Sequence, residues 1–236
     1  MNILLQFPTL GRPNKFLDCL GLYLDLSSGN HSLEFNVNCE ADDSLMNQDA
    51  VQQAILDMGQ TCPHVTINLN YDNNGDKISA INAHVEDKEF DIVICLSDDM
   101  IPHIEGWDET IVEAMQEHFP DLDGCVHFND GYTNGDLITL SILGARLYEH
   151  FGYIYHPDYK GLYCDNEFTQ QVTAMKKVQY IDKMIIKHEH YGESDNKNSG
   201  EIDFAAQKTL RFAGRDQAVF LERERQGFPQ GKITND

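Results

Sequence analysis

The first hundred residues alternate short apolar runs with segments of helical spacing. Ile3-Leu4-Leu5-Gln6-Phe7 predicts a buried strand, and Pro8-Thr9-Leu10-Gly11-Arg12-Pro13 a turn. Phe16, Leu17, Leu20, Tyr23 and Leu24 recur every three or four residues, which predicts an amphipathic helix ended by Ser27-Ser28-Gly29-Asn30. Residues 31–39 alternate apolar and polar side chains as a second strand, and a loop with three acids, Glu40, Asp42 and Asp43, follows. Residues 51–58 have helical spacing, with Gly59 as the expected C-cap. Residues 65–71 predict a third strand, Asp72-Asn73-Asn74-Gly75-Asp76 a polar loop, and Ile78, Ile81 and Val85 another helix. Ile92-Val93-Ile94-Cys95-Leu96 is continuously apolar, the pattern of a strand buried on both faces. This β-α-β-α-β-α-β order predicts a parallel, doubly wound α/β sheet of the nucleotide-binding type.

The rhythm then changes. Ile111, Met115 and Phe119 suggest a helix, 125–128 and 137–140 strands, 146–151 a short helix and 168–175 a longer one. Residues 178–186 read as one strand, 191–200 as a polar loop, 202–225 as a helix of mixed charge, and the last dozen as frayed. No repeat and no linker breaks the 236 residues, so a single domain is expected.

Charge narrows the partners. A net charge of −22 repels phosphate backbones and anionic membranes, yet permits a local basic pocket for one small phosphate ligand. It also suits a site that recruits cations. The six cysteines form no CxxC pair, and several lie in apolar runs, so they read as reduced core residues of a cytoplasmic protein. The first residues lack the basic and long apolar regions of a signal peptide, and no apolar run reaches the ~20 residues of a membrane span.

Candidate chemistry gathers at strand ends. The 92–96 run leads directly into Ser97-Asp98-Asp99, and ligands bind at the carboxyl ends of such strands. Two adjacent carboxylates there suit a divalent cation; a turn or helix cap is the plain alternative. The 72–76 loop lacks the spacing of a calcium-binding EF-hand, leaving a strand–helix loop whose asparagines can face a ligand. Asp165 and Glu167 stand two apart just before a predicted helix, as a general base or as acids favoured by the helix dipole. His188 and His190 would share one face of an extended segment, where neutral imidazoles serve as metal ligands. Arg12, Lys15 and Lys77 are among only 17 basic residues; Lys77 either meets a diphosphate or lies on a solvated helix face.

In order and spacing, these motifs resemble GT-A-fold glycosyltransferases, close to the family-2 type. The resemblance rests on Phe7–Pro13 at the first strand and loop, Lys77 to His84 before the fourth strand, Leu96-Ser97-Asp98-Asp99-Met100 at the metal motif, Cys164-Asp165-Asn166-Glu167 at the acidic motif, and His188-Glu189-His190 at the late histidine. It covers roughly residues 1–190 and implies a mixed, mainly parallel Rossmann-like sheet flanked by helices. Residues 1–97 would form the nucleotide-binding half, 98–190 the half that holds metal, acceptor and base, and 191–236 a C-terminal loop and helix tail. It implies a nucleotide-diphosphate sugar bound by Pro8, Thr9, Gly11, Arg12, Asp42, Asp43, Asn73, Lys77, Asn82, Ser97 and Asp98. It further implies Mn2+ or Mg2+ held by Asp99 with His188 or His190, and transfer to a hydroxyl acceptor with inversion. Two departures refine this. The metal motif is Ser-Asp-Asp, so Asp99 is the expected direct ligand and Asp98 a donor-sugar or supporting contact. Cys164 stands where many relatives carry Glu, so Asp165 is preferred to Glu167 as base. A nucleotidyltransferase acting on a sugar phosphate is the enzymatic alternative, although the first loop has one Gly and one Arg where a triphosphate wants more. A non-catalytic, metal-stabilised binding module is the other, and a nucleic-acid acceptor is disfavoured by the charge.

Overall fold

The computed structural model describes residues 1–189 and 204–230. Strand β1 (Asn2–Pro8) is buried from Ile3 to Phe7, as a central strand must be. It pairs in parallel with β2 (Ser32–Glu40) and β4 (Ile92–Cys95), and β3 (Val65–Asp72) adds in parallel beyond β2. Helices α1 (Pro13–Asp25), α2 (Asp49–Gln60) and α3 (Lys77–Asn82) make the crossovers. On the other side of β4 lies β7 (Ile142–Gly144), antiparallel both to β4 and to β6 (Cys125–Phe128), followed by β8 (Val178–Ile181) parallel to β6. The strand order is therefore β3-β2-β1-β4-β7-β6-β8, with β7 alone reversed. Strands β5 (Met100–Pro102) and β9 (Ile186–His188) form a separate antiparallel pair.

The two-residue period of the strands divides the core. Ile3, Leu5 and Phe7 of β1, with Ile92 and Ile94 of β4, face α1 and the helix α4 (Trp107–His118). Leu4, Val93 and Cys95 face the other way, against α3, α5 (Ala145–Phe151) and α6 (Cys164–Ala174). On the first face Trp107 is fully buried, its indole N–H donates to the Tyr23 carbonyl at 3.0 Å, and the Tyr23 hydroxyl donates to the Met100 carbonyl at 2.8 Å. This chain of bonds fixes β5, and with it the backbone just after Asp99.

Several elements differ from the sequence pattern. Gly59 does not cap α2 but lies inside its last turn, where an added Cβ would sit 2.9 Å from the Ile67 side chain. Val85 is buried past the end of α3 rather than on it. Residues 137–140 are irregular and the strand begins at Ile142: Ile138 and Leu140 are apolar because they pack, not because they pair. The 178–186 run splits between β8 and β9, which belong to different sheets. Helix α6 starts at Cys164, not 168, placing Asp165 and Glu167 within its first turn. The single 202–225 helix becomes α7 (Phe204–Leu210) and α8 (Ala213–Arg225). Beyond α8 the described tail is tied down, with Phe228 N–H donating to the Arg223 carbonyl at 2.8 Å. The predicted 191–200 loop lies outside the described residues. Five of the six cysteines are buried as free thiols and Cys62 is half-buried. Among the described residues no helix is long and apolar enough to cross a membrane.

Candidate active site

Asp98 and Asp99 are the two central residues of a tight turn after β4, closed by Met100 N–H donating to the Ser97 carbonyl at 3.0 Å, and their side chains part to different surroundings. Asp98 is fully buried beneath the β1–α1 loop. Arg12 Nη2 lies 2.8 Å and Lys15 Nζ 3.9 Å from its Oδ1, and the Thr9 hydroxyl donates to its Oδ2 at 3.4 Å. Asp98, Thr9 and Arg12 thus form one knot that fastens the loop to the sheet edge. Asp99 faces a cavity of about 460 Å3 at the carboxyl ends of β1 and β4. The Ser97 hydroxyl donates to Asp99 Oδ1, and His188 Nε2 stands 3.8 Å from the same oxygen. The pairing of β5 with β9 sets this approach: Met100 is opposite His188, and Glu189 N–H donates to the Asp99 carbonyl at 2.7 Å. Burial pushes the Asp99 carboxyl up, but Lys77, the Ser97 hydroxyl, His188 and Lys15 outweigh it and hold the group below its ordinary range.

Two ligand atoms sharing a cation at bonds of ~2.1 Å lie ~3 to 4 Å apart, and the Asp99–His188 separation falls in that interval. Among the described residues no cluster of three or more His, Cys, Asp or Glu could hold an ion. Two protein ligands with the remainder from substrate phosphates and water is the usual arrangement for Mg2+ at phosphate sites. The residues therefore fit a cation that arrives with an anionic ligand. His190 lies outside the described residues.

Asp165 borders the same cavity from the first turn of α6, whose entrance is set by Tyr163 in a left-handed conformation (φ 64°). Burial pushes its carboxyl up, against the Asn166 N–H bond at 3.0 Å and the charge of Lys77. Lys77 is thus a cation felt by both Asp99 and Asp165. Burial also pushes the Cys95 thiol, on the cavity wall, up to about 12, which keeps it protonated and unreactive.

Glu167 is placed elsewhere. It is 2% exposed, accepts from Tyr159 Oη at 2.7 Å and Gln171 Nε2 at 2.6 Å, and is gripped in two-pronged fashion by Arg223 Nε at 2.7 Å and Nη2 at 2.8 Å. It docks α8 onto α6. Arg223→Ala should leave a buried carboxylate uncompensated and cost about 3–5 kcal/mol. In a thermal melt that is a drop of roughly 10 °C for a domain of this size.

A second cavity, of about 840 Å3, adjoins the first and is lined by Gly11, Asp42, Asp43 and Asn73. Asp43 is committed to the backbone: its carboxylate accepts from the N–H groups of Gly11 (2.6 Å), Leu45 and Met46 (3.1 Å each), joining the loops after β1 and β2. Pro8, Thr9, Arg12, Lys77 and Ser97 line the first cavity. Asn82 lines neither. Its side chain accepts from Ile154 N–H (3.0 Å) and Tyr155 N–H (3.2 Å) and donates to the Tyr155 carbonyl (2.7 Å), holding the segment that leads to α6. Lys160, Tyr132 and Thr139 also reach the first cavity, although no local motif marks them. Lys160 arrives by an ion pair with Asp76 at 2.8 Å, across 84 residues of chain.

No protein-family model matches the sequence, and no curated protein matches it. Solved structures match its fold. The mannosyltransferase PcManGT from Pyrobaculum calidifontis, in complex with GDP-Man and Mn2+, is 16% identical, with a TM-score of 0.57 over 77% of this chain and 54% of that one. S. aureus TarS 1-349 in complex with UDP-GlcNAc is 13% identical, with a TM-score of 0.58 over 79% of this chain and 57% of that one. A cytidylyltransferase from Leptospira borgpetersenii is 13% identical, with a TM-score of 0.50 over 100% and 98%. The chain spans little more than half the length of the first two. At these identities the likeness speaks to architecture: the single α/β domain, with its mainly parallel seven-stranded sheet, has the GT-A, Rossmann-like fold.

Proposed function

We propose that this protein is a metal-dependent glycosyltransferase that moves a sugar from a nucleotide-diphosphate sugar to a hydroxyl acceptor with inversion. The observation that carries this reading is the convergence of Asp99, His188, Lys77 and Asp165 on one cavity at the carboxyl edge of the sheet. Asp99 and His188, with His190 as a further candidate, would hold Mn2+ or Mg2+; the bound ion would neutralise charge on the departing diphosphate, worth several kcal/mol. Lys77 and Lys15 attract the diphosphate. Asp98 and Arg12 keep the loop beneath it in place. Gly11, Asp42 and Asn73 border the space for base and ribose, with Asp43 shaping that wall. Asp165 takes the proton from the acceptor hydroxyl, its raised pKa making it a stronger base than an ordinary aspartate. One base opposite one leaving group is sufficient for a single displacement, hence inversion. Glu167 supports α6 from behind. The buried thiols suit a reducing, cytoplasmic setting.

Nucleotidyl transfer onto a sugar phosphate is the second reading, favoured by the likeness to the cytidylyltransferase over nearly the whole of both chains. Product analysis separates the two. Incubating the purified chain with nucleotide sugars, Mn2+ and a panel of hydroxyl acceptors should release a nucleoside diphosphate. Pyrophosphate released from a nucleoside triphosphate and a sugar phosphate would instead establish the second reading.

A further inference from the structure

Helix α7, which belongs to none of the motifs considered above, lines both cavities. Lys208 borders both cavities, and among the described residues Leu10 and Glu40 share that position. Its ammonium lies 3.3 Å from Glu40 Oε1, with the two side chains 19% and 11% exposed. Glu40 closes β2, and its other oxygen accepts the Gly75 N–H at 3.2 Å. Among the described residues six bases border these cavities, Arg12, Lys15, Lys77, Lys160, Lys208 and Arg211, beside as many acids. Against a net charge of −22, a lining with as many bases as acids is a comparatively basic region, as a small phosphate ligand needs.

Helix α7 has no fully buried residue and meets the body of the domain near its C-terminal end. The first residues of α8, directly after it, are anchored by Asp216, fully buried, whose carboxylate accepts from the N–H groups of Lys160 (3.2 Å), Gly161 and Leu162 (2.9 Å each). Thr209 packs so closely that a Cβ on Gly161 would meet its Cγ2 at 2.8 Å. Lys208 thus stands at the junction between the cavity of Asp42 and Asn73 and the cavity of Asp99. The volumes, about 840 and 460 Å3, are of the size that small ligands occupy.

We propose that Lys208 is a phosphate-binding residue of the donor site, exchanging its contact with Glu40 for the diphosphate of a nucleotide donor. This rests on the nucleotide-sugar reading of the site. An ammonium–phosphate contact is a charge-assisted bond, whereas the nucleoside half of the ligand should be indifferent to it.

The test is calorimetric titration of the full chain with UDP and GDP, and with uridine and guanosine, in Mn2+. Three variants are compared with the original: Lys208→Gln, Lys208→Arg and Glu40→Gln. Lys208→Gln should weaken the diphosphate about tenfold or more and leave the nucleoside within about twofold. Lys208→Arg should recover most of the loss. Glu40→Gln, which removes the same ion pair but keeps the ammonium, should bind the diphosphate at least as tightly as the original chain. Equal weakening by Lys208→Gln and Glu40→Gln would overturn the proposal, since the pair would then act only by holding α7. Unchanged diphosphate binding by Lys208→Gln, beside firm binding by the original chain, would overturn it while leaving the donor-site reading intact. Failure of the original chain to bind any nucleoside diphosphate would overturn both.

Discussion

Replacing Asp99 by Asn is expected to lower kcat/KM for sugar transfer about a thousandfold, the effect of losing roughly 4 kcal/mol of transition-state stabilisation. The reason lies in what surrounds it. Lys77, Lys15 and the Ser97 hydroxyl together keep Asp99 ionised in a half-buried position, so its charge is available to a cation at any pH near neutrality. Asparagine keeps the shape and an oxygen but not the charge. Mn2+-dependent binding of the nucleoside diphosphate should fall in parallel. Titration of metal and diphosphate together, with a melting curve to confirm folding, measures both. Diphosphate binding that remains metal-dependent in Asp99→Asn would show that the cation is held elsewhere.

Asp165→Asn should separate binding from chemistry. Transfer is expected to fall by about 10²–10⁴, the range for a positioned general base, while the donor binds as before. The pH dependence gives a second readout. A carboxyl whose folded value is raised loses its basic form as pH falls through that raised value, so the acid limb of activity should lie above the ordinary aspartate range. Stability carries the opposite signature at the two acids. The raised Asp165 costs stability as pH rises through its folded value. The lowered Asp99 contributes stability above its unfolded value and loses it as pH falls through the folded one. Loss of donor binding in Asp165→Asn would count against the base role.

The parts that sequence made legible are local ones. The 92–96 run and the acids that follow it are contiguous, so strand, sheet edge and Asp99 could be read together. His188 was visible as a strand-end histidine, although its approach to Asp99 depends on the β5–β9 pairing, which joins short strands with no pattern of their own. Glu167 illustrates how a boundary error propagates. With the helix starting at 168, Asp165 and Glu167 seem free to face one cleft. With α6 starting at Cys164 they stand about 200° apart around the axis, and Glu167 turns to Arg223. Asn82 lay in a family-like motif, yet its amide is spent on backbone 72 residues away. Lys160 and Lys208 carried no local signal at all. Their positions are set by ion pairs with Asp76 and Glu40, which only the folded chain brings near.

The most direct measurement of the central claim is calorimetric titration of the purified chain with UDP, GDP and CDP, each with Mn2+ and again with EDTA. Micromolar binding of one diphosphate that collapses when the metal is chelated, beside much weaker binding of the matching triphosphate, is the expected result. Metal-independent binding, or a preference for the triphosphate, would contradict the account.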